Sequence, residues 1–193
     1  MEALLSQLAA IYPLSTACQK AISNQMQPEH LPAQHHLLVP GQVASRIYFL
    51  KTGLARGYYL KDGHEVNAWF MREGDFLIAI VSFLTRTPAA DYIQLLEDSV
   101  LWSISHAQLQ ALYHDFVEFN VVGRILTERY YVLSEQRAQQ LRLQKGQARY
   151  EQLLREFPDV LQRVPLKFIA SYLGLTPETI SRIRARRGLP FRN

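Results

Sequence analysis

Cysteine is almost missing from this 193-residue sequence, in which Cys18 stands alone. That excludes an internal disulfide and a four-cysteine iron–sulfur cluster. Long apolar runs are missing too. The longest, FLIAIVSFL at 76–84, is about half of what a bilayer-spanning helix needs. The opening MEALLSQLAAIYPL has no basic region ahead of its apolar residues, so it does not read as a secretory signal. The expectation is a chain with no membrane partner, located in the cytoplasm. No GxxxxGK phosphate loop and no nucleophile elbow occurs, and no catalytic residue or cofactor is expected. A small metal-binding barrel would need clustered histidines. His35 and His36 are adjacent and point to opposite sides of a strand, His64-Glu65 falls in a turn region, and His30, His106 and His114 lack partners at ligand spacing. No metal site is expected.

Acidic residues are scarce at one end. Residues 137–193 hold 12 Lys/Arg against 4 Asp/Glu, whereas residues 1–136 hold 9 against 13. A chain that is acidic in its first part and basic in its last suggests that the last part meets phosphates. The basic end also holds the best-defined local pattern, LKFIASYLGLTPETISRIRA at 166–185. Ile169, Leu173, Leu175, Ile180 and Ile183 give two short helices one apolar stripe each. Ala170 is small enough to let the helices touch, and Gly174 supplies the left-handed conformation that ends the first helix. Thr176 caps the second helix, Pro177 suits a first position that needs no N–H, and Glu178 suits the positive helix end. Such a helix-turn-helix predicts a nucleic-acid interface.

The remaining chain is 48% hydrophobic overall, enough for a packed core. Residues 1–30 read as short helices before Pro28. From Leu37 to about Ser105 short β-rich runs are punctuated by Gly41, Gly53, Gly57, Gly63 and Gly74. Ile47–Leu50 and Tyr58–Leu60 are the clearest strands, with Gly53 and Gly57 where turns or bulges are needed, and KDG at 61–63 reads as a hairpin turn. Leu77, Ile78, Ile80, Val81, Phe83 and Leu84 read as core. After Ser105 the pattern turns helical. From about Phe116 to Leu143, Phe119, Val122, Ile125, Leu126, Val132 and Leu133 line a helix roughly 40 Å long. That is longer than a small barrel covers, so residues 116–143 are expected to pair with a second copy.

The IASYLGLTPETISRIR segment resembles the helix-turn-helix of the Crp/Fnr regulators. LLVPGQVASRIYFLKTGLARGYYLKDGHEVNAWFMREGDF at 37–76 resembles the cyclic-nucleotide-binding jelly roll that precedes the long dimer helix in that family. Two such motifs in the family's order cover nearly the whole chain. The resemblance implies an α+β fold: an antiparallel β jelly roll, a long dimerisation helix and a C-terminal helix-turn-helix. It also implies two domains, residues 1–143 with the N-terminal helices, roll and dimer helix, and residues 144–193 with the DNA-binding helices and a short or absent wing. The implied function is a homodimeric, sequence-specific regulator of transcription on a near-palindromic site in double-stranded DNA. The alternative is a ligand-binding or protein-interaction module whose DNA binding is weak or lost.

On this resemblance Glu178 and Arg182 match base-reading positions, with Pro177 where the best-known relatives carry arginine, and Ser181 on the same side of the helix. Lys167, Thr176, Thr179, Arg184, Arg186 and Arg187 are expected at phosphates. In relatives that bind cyclic AMP, the Gly-Asp-Phe turn, here Gly74, Asp75 and Phe76, is followed by a Gly-Glu pair and then an Arg-Ser pair. Here Ile78-Ala79 replaces the first, and the second falls near Ala89-Ala90. Arg86 is the one nearby cation. A cyclic phosphate would lack its arginine, so cyclic AMP is not the expected ligand. The pocket is then empty, filled by its own apolar side chains, or shaped for an unidentified small-molecule effector.

Overall fold

A computed structural model of the chain describes residues 1–186. Two short helices, α1 (Glu2–Ala9) and α2 (Thr16–Gln25), lead into strands β1 (Gln27–Leu31), β2 (His36–Leu38), β3 (Arg46–Thr52), β4 (Ala55–Lys61), β5 (His64–Met71) and β6 (Phe76–Leu77). After helix α3 (Ile80–Thr85) come β7 (Tyr92–Leu95) and β8 (Ser99–Ser105). The remainder is helical: α4 (His106–Asp115), α5 (Val117–Leu143), α6 (Gly146–Glu156), α7 (Val160–Arg163), α8 (Leu166–Leu173) and α9 (Pro177–Arg186). The elements group into two compact units, one of residues Met1–Tyr59 with Trp69–Tyr130, the other of Leu60–Ala68 with the described residues from Tyr131 onward. The β4–β5 hairpin and α5 each run from one unit into the other.

The strands form two four-stranded sheets, ordered β1-β8-β3-β6 and β2-β7-β4-β5, as a jelly roll requires. Leu50, Ala55, Leu77, Leu95 and Leu101 come from both sheets and are fully buried together. Each such leucine contributes roughly 1.5–3 kcal/mol relative to exposure. A second cluster joins Phe49 and Ile104 to the helices, through Leu4, Leu8, Cys18, Ile22, Leu112, Phe119 and Val122. Helix α4 begins where Ser105 accepts from the Gln108 N–H and Gln108 reaches back to the Ser105 N–H, a reciprocal cap.

Several sequence expectations change here. Strand β1 starts at Gln27, inside the stretch expected to be helical. Its sequence, QPEHL, is polar and contains a proline, which is tolerated because β1 is the last strand of its sheet. Gly57 lies in mid-strand and makes no turn: an added Cβ would fall 2.1 Å from the Trp69 ring, so the glycine makes room for the indole. Gly53 does turn the chain, at φ +109°, and Asp62-Gly63 closes the β4–β5 hairpin with φ +52° and +78°, the pattern of a type I′ turn. Phe116 is extended and separates α4 from α5. Along α5 the apolar stripe divides. Phe119 and Val122 are buried, while Tyr131, Val132 and Leu133 are each at least half exposed. No described helix is long and apolar enough to cross a membrane.

Candidate nucleic-acid interface and jelly-roll site

The candidate interface is built on a three-helix core. Ile169, Ala170 and Leu173 of α8, Ile180 of α9 and Tyr150 of α6 are all within 1% of full burial. Leu175 and Ile183 complete the expected stripe and are half-buried. Gly174 ends α8 in the left-handed region, at φ +62° and ψ +40°, and the following Leu175 N–H returns to the Ala170 carbonyl at 2.9 Å. Thr176 then opens α9: its hydroxyl accepts from the Thr179 N–H at 3.2 Å and its carbonyl from the Ile180 N–H at 3.1 Å.

Burying Ile180 turns the other side of α9 outward. Thr176, Pro177, Glu178 and Arg182 are exposed, Ser181 is half-buried, and Glu178 and Arg182 stand four residues apart on one helix side. The Glu178 carboxyl is held below the usual carboxylate range, first by its own backbone N–H and then by the Thr176 hydroxyl, with Arg182 adding to the pull. It is therefore ionised and able to accept hydrogen bonds at neutral pH. The Arg182 guanidinium donates to the Thr179 hydroxyl at 3.3 Å. Lys167 is exposed on α8, its ammonium 4.9 Å from the Phe168 ring centre. Arg184 is half-buried, so it presents less of its side chain than the sequence suggests. Arg187 and the side chain of Arg186 lie outside the described residues.

Three contributors have no local sequence signal. Arg149 of α6 donates to the Leu173 carbonyl at 2.9 Å and to the Gln144 carbonyl, closing the end of α8. Gly146 leaves room for Leu175, whose Cδ2 would lie 2.6 Å from an added Cβ. Tyr172 lies beneath the Arg137 guanidinium at 3.6 Å from ring centre to carbon. Burial raises the Tyr172 phenol, with Arg137 pulling it back, and burial lowers Arg137.

The second candidate site follows β6. Gly74 takes φ +89°, donates to the Leu50 carbonyl at 2.9 Å and accepts from Gln7 at 2.8 Å. Asp75 accepts from the Arg72 N–H at 2.9 Å, and its carboxyl is pushed up chiefly by burial. The Phe76 N–H donates to the Tyr130 hydroxyl at 3.0 Å. Beyond this turn the apolar segment is not uniformly core. Leu77 and Phe83 are fully buried, Ala79 is buried and Ile78 half-buried, but Ile80, Val81 and Leu84 are 48%, 67% and 59% exposed. The turn and half of this short helix lock the segment in place, leaving the other apolar side chains pointing outward.

Arg86 takes the left-handed conformation at φ +58°, and its guanidinium donates to the Ala44 carbonyl at 2.6 Å and the Phe83 carbonyl at 3.2 Å. Ser82, almost wholly buried, accepts from the Ala44 N–H at 2.9 Å and donates to the Thr87 carbonyl at 2.6 Å. Polar groups here tie the segment to the 42–44 loop. Ala89 is buried and Ala90 exposed. Ile78, Ala79, Ala89 and Ala90 bring no side-chain donor to an anion.

Residues 28–116 match the family model described as the cyclic nucleotide-binding domain. No curated protein matches the sequence. Among solved structures, FixK2 from Bradyrhizobium japonicum is 19% identical, with a TM-score of 0.72 over 87% of this chain and 89% of that one. The c-di-GMP-responsive global regulator CLP from Xanthomonas campestris is 16% identical, with a TM-score of 0.69 over 93% and 96%. A transcriptional regulator assigned to the Crp/Fnr family, from Eubacterium rectale, is 18% identical, with a TM-score of 0.70 over 91% and 84%. The chain thus carries a cyclic nucleotide-binding domain at residues 28–116 within the fold of the Crp/Fnr regulators.

Proposed function

We propose that this chain is a homodimeric, sequence-specific DNA-binding regulator of transcription, acting in the cytoplasm. The observation that carries this reading is α9. Its apolar side is buried through Ile180, its start is fixed by Gly174 and Thr176, and its outward side carries an ionised glutamate and an arginine four residues apart. Glu178 accepts from a cytosine amino group, and Arg182 addresses guanine O6 and N7. Pro177 has no donor for a base, so the recognised sequence differs from that of relatives with arginine there. Ser181 lies beside these two readers. Thr176, Thr179, Lys167, Arg184, Arg186 and Arg187 contact phosphates and set register.

The exposed Tyr131, Val132 and Leu133 on the second half of α5 support pairing with a second copy through residues 116–143. Two recognition helices then enter successive major grooves about one helical turn apart. On the input side, the Ile78, Ala79, Ala89 and Ala90 side chains supply no phosphate ligand. Arg86 already serves the Ala44 and Phe83 carbonyls. The roll therefore does not respond to cyclic AMP, and its effector is an unidentified small molecule, if it takes one.

Arg182→Ala should reduce discrimination at one base pair by roughly 1–3 kcal/mol, whereas Lys167→Ala should weaken all DNA alike. Competition titrations on single-base variants of a selected site separate the two. Equal loss on every sequence from Arg182→Ala would remove its base-reading role. Calorimetry with cyclic AMP tests the input side, and micromolar affinity would overturn it.

A further inference from the structure

β5 is the last strand of its sheet, so its outer edge presents backbone N–H and C=O groups without a neighbouring strand. At Glu65 and Asn67, two residues apart, that edge meets one side chain. The Ser171 hydroxyl donates to the Glu65 carbonyl at 2.8 Å and accepts from the Asn67 N–H at 3.0 Å. One hydroxyl thus supplies both the donor and the acceptor that a partner strand would bring. The next residue of α8, Tyr172, lies under Arg137 of α5. Two consecutive residues of α8 are therefore committed to elements outside the helix pair. Neither belongs to its core, which uses Ile169, Ala170 and Leu173. The attachment leaves Thr176, Pro177, Glu178 and Arg182 exposed, so it is compatible with DNA on α9.

We infer that Ser171 is a positioning residue: its hydroxyl locks α8 to the β5 backbone at Glu65 and Asn67 and so fixes the pose in which α9 meets DNA. This rests on the DNA-binding reading above. Without the lock, α8 and α9 remain folded but sample several poses, and a specific site, which demands one pose, loses more than random DNA does.

The test uses the full chain with Ser171→Ala, Ser171→Thr and Asn67→Pro, the last removing the edge donor at a position where an edge strand tolerates proline. Fluorescence anisotropy on a selected site should show about a tenfold loss for Ser171→Ala, the scale of one or two net hydrogen bonds, with affinity for random DNA unchanged. Ser171→Thr should restore most of it. Asn67→Pro should cost a similar factor, and the Ser171→Ala/Asn67→Pro double variant no more than either alone. Amide exchange at residue 67 should be slow in the wild type and fast in Ser171→Ala. Unchanged site affinity, or unchanged exchange, in Ser171→Ala overturns the inference. A wild-type chain that retains no DNA overturns the regulator reading and the pose role with it. The exchange measurement distinguishes that failure from absence of the lock.

Discussion

Replacing Gly174 isolates the cost of the turn between α8 and α9. The residue sits at φ +62° and ψ +40°, and an added Cβ would meet only the Leu141 Cδ2 at 3.8 Å and the Arg149 guanidinium at 3.9 Å, both ordinary contacts. Packing therefore contributes almost nothing, and the penalty for Gly174→Ala is that of a left-handed L-residue, roughly 1–2 kcal/mol. For a chain of this size that corresponds to a melting-point loss of roughly 2–8 °C. Gly174→Asn should lose clearly less, because asparagine visits this region readily. Thermal and urea unfolding of the three proteins decide it. Alanine as stable as glycine would mean that the turn is not held left-handed. A loss well beyond 3 kcal/mol would require a collision that the surroundings do not contain.

Gly57→Ala should destabilise by a different route, since its Cβ would fall 2.1 Å from Trp69. A loss of roughly 1–3 kcal/mol with a changed tryptophan emission spectrum is expected, and an unperturbed spectrum would contradict the packing. Asp75 is raised by burial above its ordinary value of 3.8. Its folded form then holds a proton that the unfolded chain has released, so its contribution to stability falls as pH rises from that value through the raised one. Asp75→Asn, which keeps an acceptor for the Arg72 N–H, should be more stable at pH 7 and lose less stability over that rise; urea melts across pH check both. The fully buried Cys18 thiol, pushed up to about 11 by burial and then by Glu118, should resist thiol reagents in the native protein and react once urea unfolds it.

The helix-turn-helix was legible in the sequence because its determinants are local. Gly174, Thr176 and Pro177 act within one turn of themselves, and the Ile169–Leu173 and Ile180–Ile183 spacings are each a property of a single helix. Strand β1 was not legible, because an edge strand needs neither alternation nor a full set of donors, and QPEHL offers neither. Gly57 reads as a turn residue but makes room for the indole of Trp69, twelve residues downstream in the hairpin partner, a relation invisible to local pattern. Apolar Ile80, Val81 and Leu84 read as core by composition, but a six-residue helix buries one side only. The roles of Ser171, Arg149 and Arg86 depend on carbonyls and amides brought in from distant elements. Backbone groups have no sequence identity, so nothing in the sequence announces that a given side chain will find them.

The central claim is that α9 reads DNA as one half of a symmetric pair. Selection of bound sequences from random double-stranded DNA with the purified wild-type chain, followed by footprinting on the enriched sites, tests it most directly. The account predicts a near-palindrome whose half-sites are centred about 10 base pairs apart, with the preferred bases altered by Arg182→Ala. Recovery of no sequence preference at low salt, or of single unpaired half-sites, would contradict it.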